Sequence, residues 1–336
     1  MAGRQEVRLK NSPLGNSGKN TLIVYMIILV FLIAGPAAMP MYLQIVMTKF
    51  VIMALYATSY DLVFGYVGIL SLGHAAFFGI GGYSVGVLAL HFNGGNFWMA
   101  IGLAIVASVV IAAGFGAIAL RFKAIYLLLV TFALAQLVYA VAWNTKPLNT
   151  PGMQGISGIV RPDLGFPVAW TDLKFYYLVL VVFVIGFFVL SKIVRSPFGH
   201  VLVGIRESEP RMQALGYNTF RYKFLAWLIS AGLSAVAGVL FAYQNNMVSP
   251  THISVIYSFL PMTMAILGSR GTLYGPIAGA AIIVFAEYFI SLHLVDRWPL
   301  FLGIIFVLSI MLLRKGITQS IIGFITNRKP VKVQEV

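Results

Sequence analysis

The sequence predicts an all-α fold: a polytopic bundle of about ten transmembrane helices, with both termini on the cytoplasmic side. Three observations predict it. Of 336 residues, 60% are hydrophobic and only 10% are charged, whereas an ordinary soluble domain carries roughly 25% charged residues. The apolar residues come in runs close to the ~20 positions a helix needs to cross the hydrocarbon core. Lys and Arg gather in alternate connections between those runs, as the positive-inside rule requires of cytoplasmic segments.

The apolar runs are 22–40, 44–64, 67–90, 97–120, 124–143, 176–194, 223–244, 254–269, 272–292 and 298–313. The eighth is short, and 254–292 admits more than one division. With the N-terminus inside and the spans alternating, all of the 23 Lys and Arg residues fall inside except Lys49, Lys146, Arg161, Lys174 and Arg297. An odd number of spans would destroy this bias. The chain therefore divides into a cytoplasmic tail (1–20), a membrane domain (21–318) and a second cytoplasmic tail (319–336). The first run begins near Thr21 and is too long for the core of a cleaved signal, so no signal peptide is expected.

Two connections are long. Residues 144–175 lie outside and are rich in turn formers, among them Pro147, Pro151, Gly152, Gly155, Gly158, Pro162, Gly165 and Pro167. A loop of this length in a compact protein is usually functional or disordered. Residues 195–222 lie inside and form the most polar stretch. Ser208 can cap a short helix there, Pro210 suits its first turn and Gly216 can end it. Met212 and Leu215 would then share a face. Neither connection can hold a domain, which takes at least about 50 residues, so a soluble catalytic function would have to reside in another chain.

Composition removes further classes. There is no cysteine, hence no disulfide or cysteine-ligated metal. His74, His91, His200, His252 and His293 lack metal-binding spacing. The net charge of +14 follows from positive-inside loops and points to the lipid bilayer, not to nucleic acid. The nearest approach to a phosphate-binding loop, Gly15-Asn-Ser-Gly-Lys-Asn20, has the wrong spacing; no cofactor is expected on this chain, and an ATP-driven process would need a separate ATPase.

Two regions carry candidate chemistry. The stretch from Gly68 to Tyr83 is apolar yet holds five glycines, from Gly68 to Gly82, and Ser71 and His74 at membrane depth. One reading is close helix packing, with Gly82/Gly86 and Gly275/Gly279 as GxxxG pairs. The other is a discontinuous helix whose freed backbone lines a path for solute. Asp61, His74 and Glu287 are the ionisable groups within spans, and such groups face a cavity or a partner. Asp61 sits near the cytoplasmic end of its run and can reach water. His74 can bond a neighbouring carbonyl, and Glu287 can make an interhelical bond. Nothing in the pattern brings the three together into a proton relay. The second region is 196–223, which mixes charges with an apolar face and reads either as a solvated connector or as a docking helix for a partner's groove.

Four strings resemble one family. DLVFGYVGILSLGHAAFFGIGGYSVGVLAL at 61–90, NTPGMQGISGI at 149–159, SPFGHVLVGIRESEPRMQALGYNTFRYKFLAWLISAGLSAVAGVLFA at 196–242 and ILGSRGTLYGPIAGAAI at 266–282 resemble, in this order, the branched-chain amino acid ABC transporter permeases of the LivM type. The resemblance runs over roughly 40–318. It implies a multi-pass subunit of the bacterial cytoplasmic membrane that transports leucine, isoleucine and valine. The implied partners are a LivH-like second permease, two ABC ATPases that bind ATP and Mg, and a periplasmic solute-binding protein. It places Arg206, Glu207, Ala214, Leu215 and Gly216 in the ATPase-coupling segment, and Ser71, Gly73 and His74 in the signature on the translocation side. Two positions depart from the family pattern: Asp61, where Asn is usual, and Ser269-Arg270. Relatives for urea, short amides or a sugar share this fold. A stand-alone secondary transporter or channel would need no ATPase, and a membrane-embedded enzyme would need a clustered catalytic set, which the sequence does not show.

Overall fold

The computed structural model describes residues 32, 34–92, 96–122, 124–144, 152–165, 169–294 and 297–312. Both tails and most of the run 22–40 lie outside the described residues. The helices are α1 (Met41–Asp61), α2 (His74–His91), α3 (Phe97–Ala119), α4 (Ala124–Asn144), α5 (Asp172–Arg195), α6 (Pro197–Glu207), α7 (Glu209–Ala214), α8 (Thr219–Asn245), α9 (Val255–Gly268), α10 (Tyr274–His293) and α11 (Trp298–Leu312). Strands β1 (Ile156–Ser157) and β2 (Met247–Val248) pair antiparallel, Ile156 opposite Val248.

Among the described residues, six helical segments are long and apolar enough to cross a membrane: Met41–Val67, Phe97–Ala119, Ile125–Asn144, Asp172–Arg195, Thr219–Asn245 and Tyr274–His293. They answer to six of the predicted runs. Three further runs are helical but fall short of that standard. The run 67–90 becomes α2, which starts only at His74 and is diluted by glycine, serine and histidine. The run 254–269 becomes α9, whose 14 residues reach only about 21 Å at ~1.5 Å per residue. The run 298–313 becomes α11, of 15 residues.

The helices sort by burial. In α1 every residue from Phe50 to Val67 is buried, because α5, α8, α9 and α10 pack around it. By contrast α3, α4 and α5 turn large apolar side chains outward, Val106 at 61%, Ile125 at 72% and Ile185 at 58% exposure. Side chains this apolar cannot cover so much of a molecule in water; in lipid they meet a solvent of their own kind. The helix starts follow local chemistry. Asn96, Thr171 and Asn218 accept from the backbone N–H of Trp98, Lys174 and Arg221, capping α3, α5 and α8.

The long connection 144–175 is folded where it is described. Its strand β1 rests on β2, Phe97 N–H bonds the carbonyl of Asp163 at 2.8 Å, and Arg161 pairs with Asp172 at 2.5 Å. The polar connection 195–222 is mostly helical. α5 runs directly through Arg195, α6 and α7 follow, and α8 starts at Thr219. Ser208 stands at the N-cap of α7, although its side chain makes no capping bond, and Pro210 lies in the first turn as expected. Gly216 follows the helix at φ 88°, the left-handed conformation that glycine adopts without a Cβ clash. Met212 and Leu215 do not share a role: Met212 packs on Gly204 of α6, while Leu215 is 67% exposed.

Candidate functional site

The end of α1 and the start of α2 form a broken helix. α1 widens into a π-helical turn, Leu62–Val67, and stops at Gly68, whose φ of 82° no other residue type adopts readily. Residues 68–73 are not helical. The discontinuity expected in this motif is present, but its backbone is largely bonded within the protein. Tyr60 OH donates to the carbonyl of Ser71 at 3.0 Å, and Ser258 OH donates to that of Leu72 at 2.7 Å. Leu72 N–H donates to Thr131 Oγ1 and Gly73 N–H to Ser71 Oγ. Side chains from α1, α4 and α9 thus satisfy what the missing helix turn leaves open, as apolar surroundings demand.

His74 is sealed behind this break. Tyr60, Phe77 and Trp227 meet its ring edge to face. Its Nε2 lies 2.9 Å from Ser230 Oγ, and Ser230 donates its own proton to the carbonyl of Ser59. Ser230 can then only accept, so the His74 ring donates from a protonated Nε2. Nδ1 has no partner among the described residues.

Asp61 does not reach water; its exposure is 0%. Its carboxylate accepts the N–H of Gly271 at 2.8 and 3.1 Å. This is the turn between α9 and α10, in the second signature string. Gly65 and Gly271 permit the approach: a Cβ on Gly65 would stand 2.1 Å from Asp61 Oδ1 and 2.3 Å from Gly271 N. Arg206, at the end of α6, enters the same place and donates from Nη1 to the carbonyl of Gly65. Its stem lies on Gly68, where a Cβ would stand 2.8 Å from Arg206 Cγ. One knot therefore joins α1, α6 and the α9–α10 turn.

A cavity of about 800 Å³ opens beside the knot, lined by Gly68, Ile69 and Leu70 of the break, by Phe122, and by Arg206 and Glu207. Glu209, also on its wall, holds Lys223 at 2.6 Å. Beyond it Ala214, Leu215 and Gly216 are exposed. Of the sequence-predicted residues the structure therefore brings Asp61 and Arg206 together, sets Glu207 beside them, and buries Ser71, Gly73 and His74 behind the break.

Glu287 lies elsewhere. It bonds Lys49 of α1 at 2.6 Å, and Lys49 and Asp61 stand about 18 Å apart along α1 at ~1.5 Å per residue. Asp61, His74 and Glu287 form no common relay. Sequence reasoning missed Lys49 as the partner, and a signal for it existed: a lysine inside the apolar run 44–64. Gly65, Gly271 and Ser230 carried no comparable signal.

Comparison with known proteins follows this geometry. A family model described as branched-chain amino acid transport system / permease component matches residues 42–310. The chain is 30% identical over 295 residues to the high-affinity branched-chain amino acid transport system permease protein LivM of Salmonella typhimurium, covering 80% of this chain and 68% of that one. It is 30% identical over 249 residues to LivM of Escherichia coli, covering 67% of this chain and 58% of that one. It is 24% identical over 256 residues to the permease protein LivH of the same Salmonella strain, covering 72% and 82%. No solved structure matches it.

Proposed function

Because the chain belongs to the family of permease components of branched-chain amino acid transport systems, we propose that it is the membrane subunit of an ATP-driven importer of leucine, isoleucine and valine. In this reading it pairs with a LivH-like permease in a bacterial cytoplasmic membrane. Two ATPase subunits, with their ATP and Mg, dock on α6 and α7 from the cytoplasm, and a periplasmic binding protein delivers solute to the opposite face. Both termini lie in the cytoplasm.

The observation that carries this reading is Arg206. It belongs to the polar segment between two spans, yet its guanidinium holds the carbonyl of Gly65 in the last turn of α1. A push on α6 is thereby delivered to the broken helix and, through Asp61, to the α9–α10 turn. The first of these is the interrupted helix, and interrupted helices border the moving parts of transporters. The exposed Leu215, with Tyr217 at 40% and Phe220 at 38% exposure, supplies apolar anchors between the two helices with Arg211 and Arg221 as charged flanks, the composition of a segment that seats in a partner's groove.

The translocation residues divide. Ser71, Gly73 and His74 are buried and bonded within the chain, so they frame the break; Asp61 ties it to the second half. Glu287, on the wall of a cavity, keeps the solute-facing role. Reconstitution of the chain with the second permease, the ATPases and the binding protein tests the reading: ATP-dependent accumulation of leucine is expected. Accumulation by the purified chain alone, without nucleotide, would overturn it.

A further inference from the structure

Lys49 and Glu287 meet across the α1–α10 interface, 238 positions apart in sequence. Their side chains retain 31% and 23% of their accessible surface, so the pair is neither sealed in the core nor free in solvent. Cavities flank it. One of about 280 Å³ is walled by Val46, Val284, Tyr288 and Leu292. A smaller one of about 70 Å³ is walled by Met53, Leu260, Met264 and Trp298. Both include Lys49 and Glu287 in their lining, beside Ser291 in one and Tyr257 in the other, so the ion pair is the charged feature of a mostly apolar recess.

The pair has unused capacity. An ammonium carries three donors and a carboxylate several acceptor sites. Among the described residues Lys49 gives one bond, and Glu287 accepts that one on Oε1. An α-amino acid zwitterion carries the complementary charges on a single carbon, with its side chain beside them. Its carboxylate matches Lys49 and its ammonium matches Glu287. Insertion exchanges one ion pair for two, so no charge is left uncompensated in a poorly solvated place, the outcome that makes a broken buried pair costly. Departure lets the pair close again, which keeps the site weak enough to release its occupant. The volume of the larger cavity lies near the ~300 Å³ lower bound of small-molecule sites, and its aliphatic walls suit a branched apolar side chain.

We propose that the Lys49–Glu287 pair is a binding site for the zwitterionic head group of an aliphatic α-amino acid, which opens the pair and sets its side chain among Val46, Val284 and Leu292. The assignment rests on the reading of the chain as an amino acid permease subunit. A purely structural latch between α1 and α10 is the competing account, and experiment separates the two.

The test uses the complete transporter in proteoliposomes. Lys49→Met combined with Glu287→Gln removes both charges together and leaves neither stranded. Leucine uptake by the doubly substituted complex is expected to fall about tenfold or more, the loss appropriate to charge-assisted hydrogen bonds, while the complex still assembles in the membrane. Undiminished uptake overturns the site. If the wild-type complex itself moves no amino acid, the permease reading fails instead, so the two failures are distinct. Should the double variant not assemble, Trp298 reports on the wild-type complex. Millimolar leucine is expected to change its fluorescence, with Trp298→Phe identifying the signal. The same concentration of 4-methylpentanoate, which lacks the ammonium, or of isoamylamine, which lacks the carboxylate, should not. A null result with leucine, or equal responses to all three, overturns the site.

Discussion

The guanidinium of Arg206 donates a hydrogen bond to the main-chain carbonyl of Gly65, joining the end of α6 to the last turn of α1 across 141 positions of sequence. The contact has one direction of use: whatever moves α6 moves the break after α1. Replacing Arg206 by Glu sets a carboxylate against that carbonyl and beside Asp61, turning attraction into repulsion. Arg206→Glu is therefore expected to insert and assemble but to raise the ATP hydrolysed per leucine transported by about tenfold. Gly216→Pro attacks the same segment from its other end, since proline cannot adopt a positive φ and removes the N–H that bonds Gln213. Normal coupling in both variants would remove α6 and α7 from the transmission route.

Asp61 separates charge from hydrogen bonding. Its observed work is to accept the N–H of Gly271 in the 271–273 turn. Asparagine keeps a side-chain oxygen in that position, whereas leucine leaves that buried donor unpaired, at about 1–3 kcal/mol. Asp61→Asn is expected to shift the midpoint of thermal unfolding in detergent by a few degrees at most. Asp61→Leu should lower it severely, and equal effects would show that the charge, not the turn, is what Asp61 serves.

The crossing of α2 and α8 depends on two glycines. A Cβ on Gly81 would stand 1.9 Å from the carbonyl oxygen of Ala235, and one on Gly238 would stand 1.8 Å from that of Phe78. These are backbone atoms of the facing helix, so the helices must part, and overpacking of this kind costs about 1–3 kcal/mol or more. Gly81→Ala and Gly238→Ala are each expected to lower thermal stability, while Gly102→Ala and Gly114→Ala, which meet open space, should leave it unchanged.

These glycines show where sequence reading stops. The pattern singled out Gly82 and Gly86 as helix-packing residues; Gly82 does approach Gly238 of α8, but the nearest side chains over the two are Val248 and Ile156 of the small sheet, and Gly81, one position away, makes the tighter approach to the α8 backbone. A GxxxG string names a face, and a shift of one residue turns it by about 100°. Gly275 and Gly279, by contrast, do set α10 against α9, with Gly279 close to the carbonyl of Met264. The runs behind α3, α5 and α8 were legible to within a few residues, because hydropathy alone decides where a helix can cross lipid. The start of α2 was not: hydropathy counts apolar residues through 67–90 and cannot register that Gly68 turns left-handed or that Ser71 and Leu72 find partners on three other helices. Asp61 and Glu287 were legible as ionisable groups needing partners. Their partners, Gly271 and Lys49, lie 210 and 238 positions away, beyond any local pattern.

His252, in the turn between α8 and α9, gives a pH signature. Burial first, and the nearby Lys49 second, lower its pKa from 6.5 to about 4. Its ring is packed between Phe241 and Tyr257, and its Nδ1 accepts from Ser249 N–H. The unfolded chain takes up this proton near pH 6.5 and the folded one only near pH 4. The unfolded state therefore binds more protons between these values, and stability falls as pH drops through that window. The wild-type unfolding temperature should decline from pH 6.5 to 4 more steeply than that of His252→Gln, which lacks the group; parallel declines would assign the loss to other residues.

The last prediction concerns how α7 is held. Glu209 opens that helix and meets Lys223, in the first turns of α8, at 2.6 Å, while Thr219 donates to the same oxygen at 3.0 Å. Lys223 is 9% exposed, so its ammonium relies on Glu209 more than on water. Glu209→Ala strands that charge, and the expected cost is about 2–3 kcal/mol, below the range for a fully sealed pair because 25% of the Glu209 side chain remains accessible. Adding Lys223→Met removes the stranded charge and should recover most of the loss. If α7 is set in place by this bridge, the double variant regains stability but not full uptake, because the Glu209–Lys223 bridge no longer ties the start of α7 to α8. A double variant as poorly stable as Glu209→Ala alone would mean that Glu209 acts through Thr219 and not through the ion pair, and the double-mutant cycle on unfolding free energy distinguishes the two.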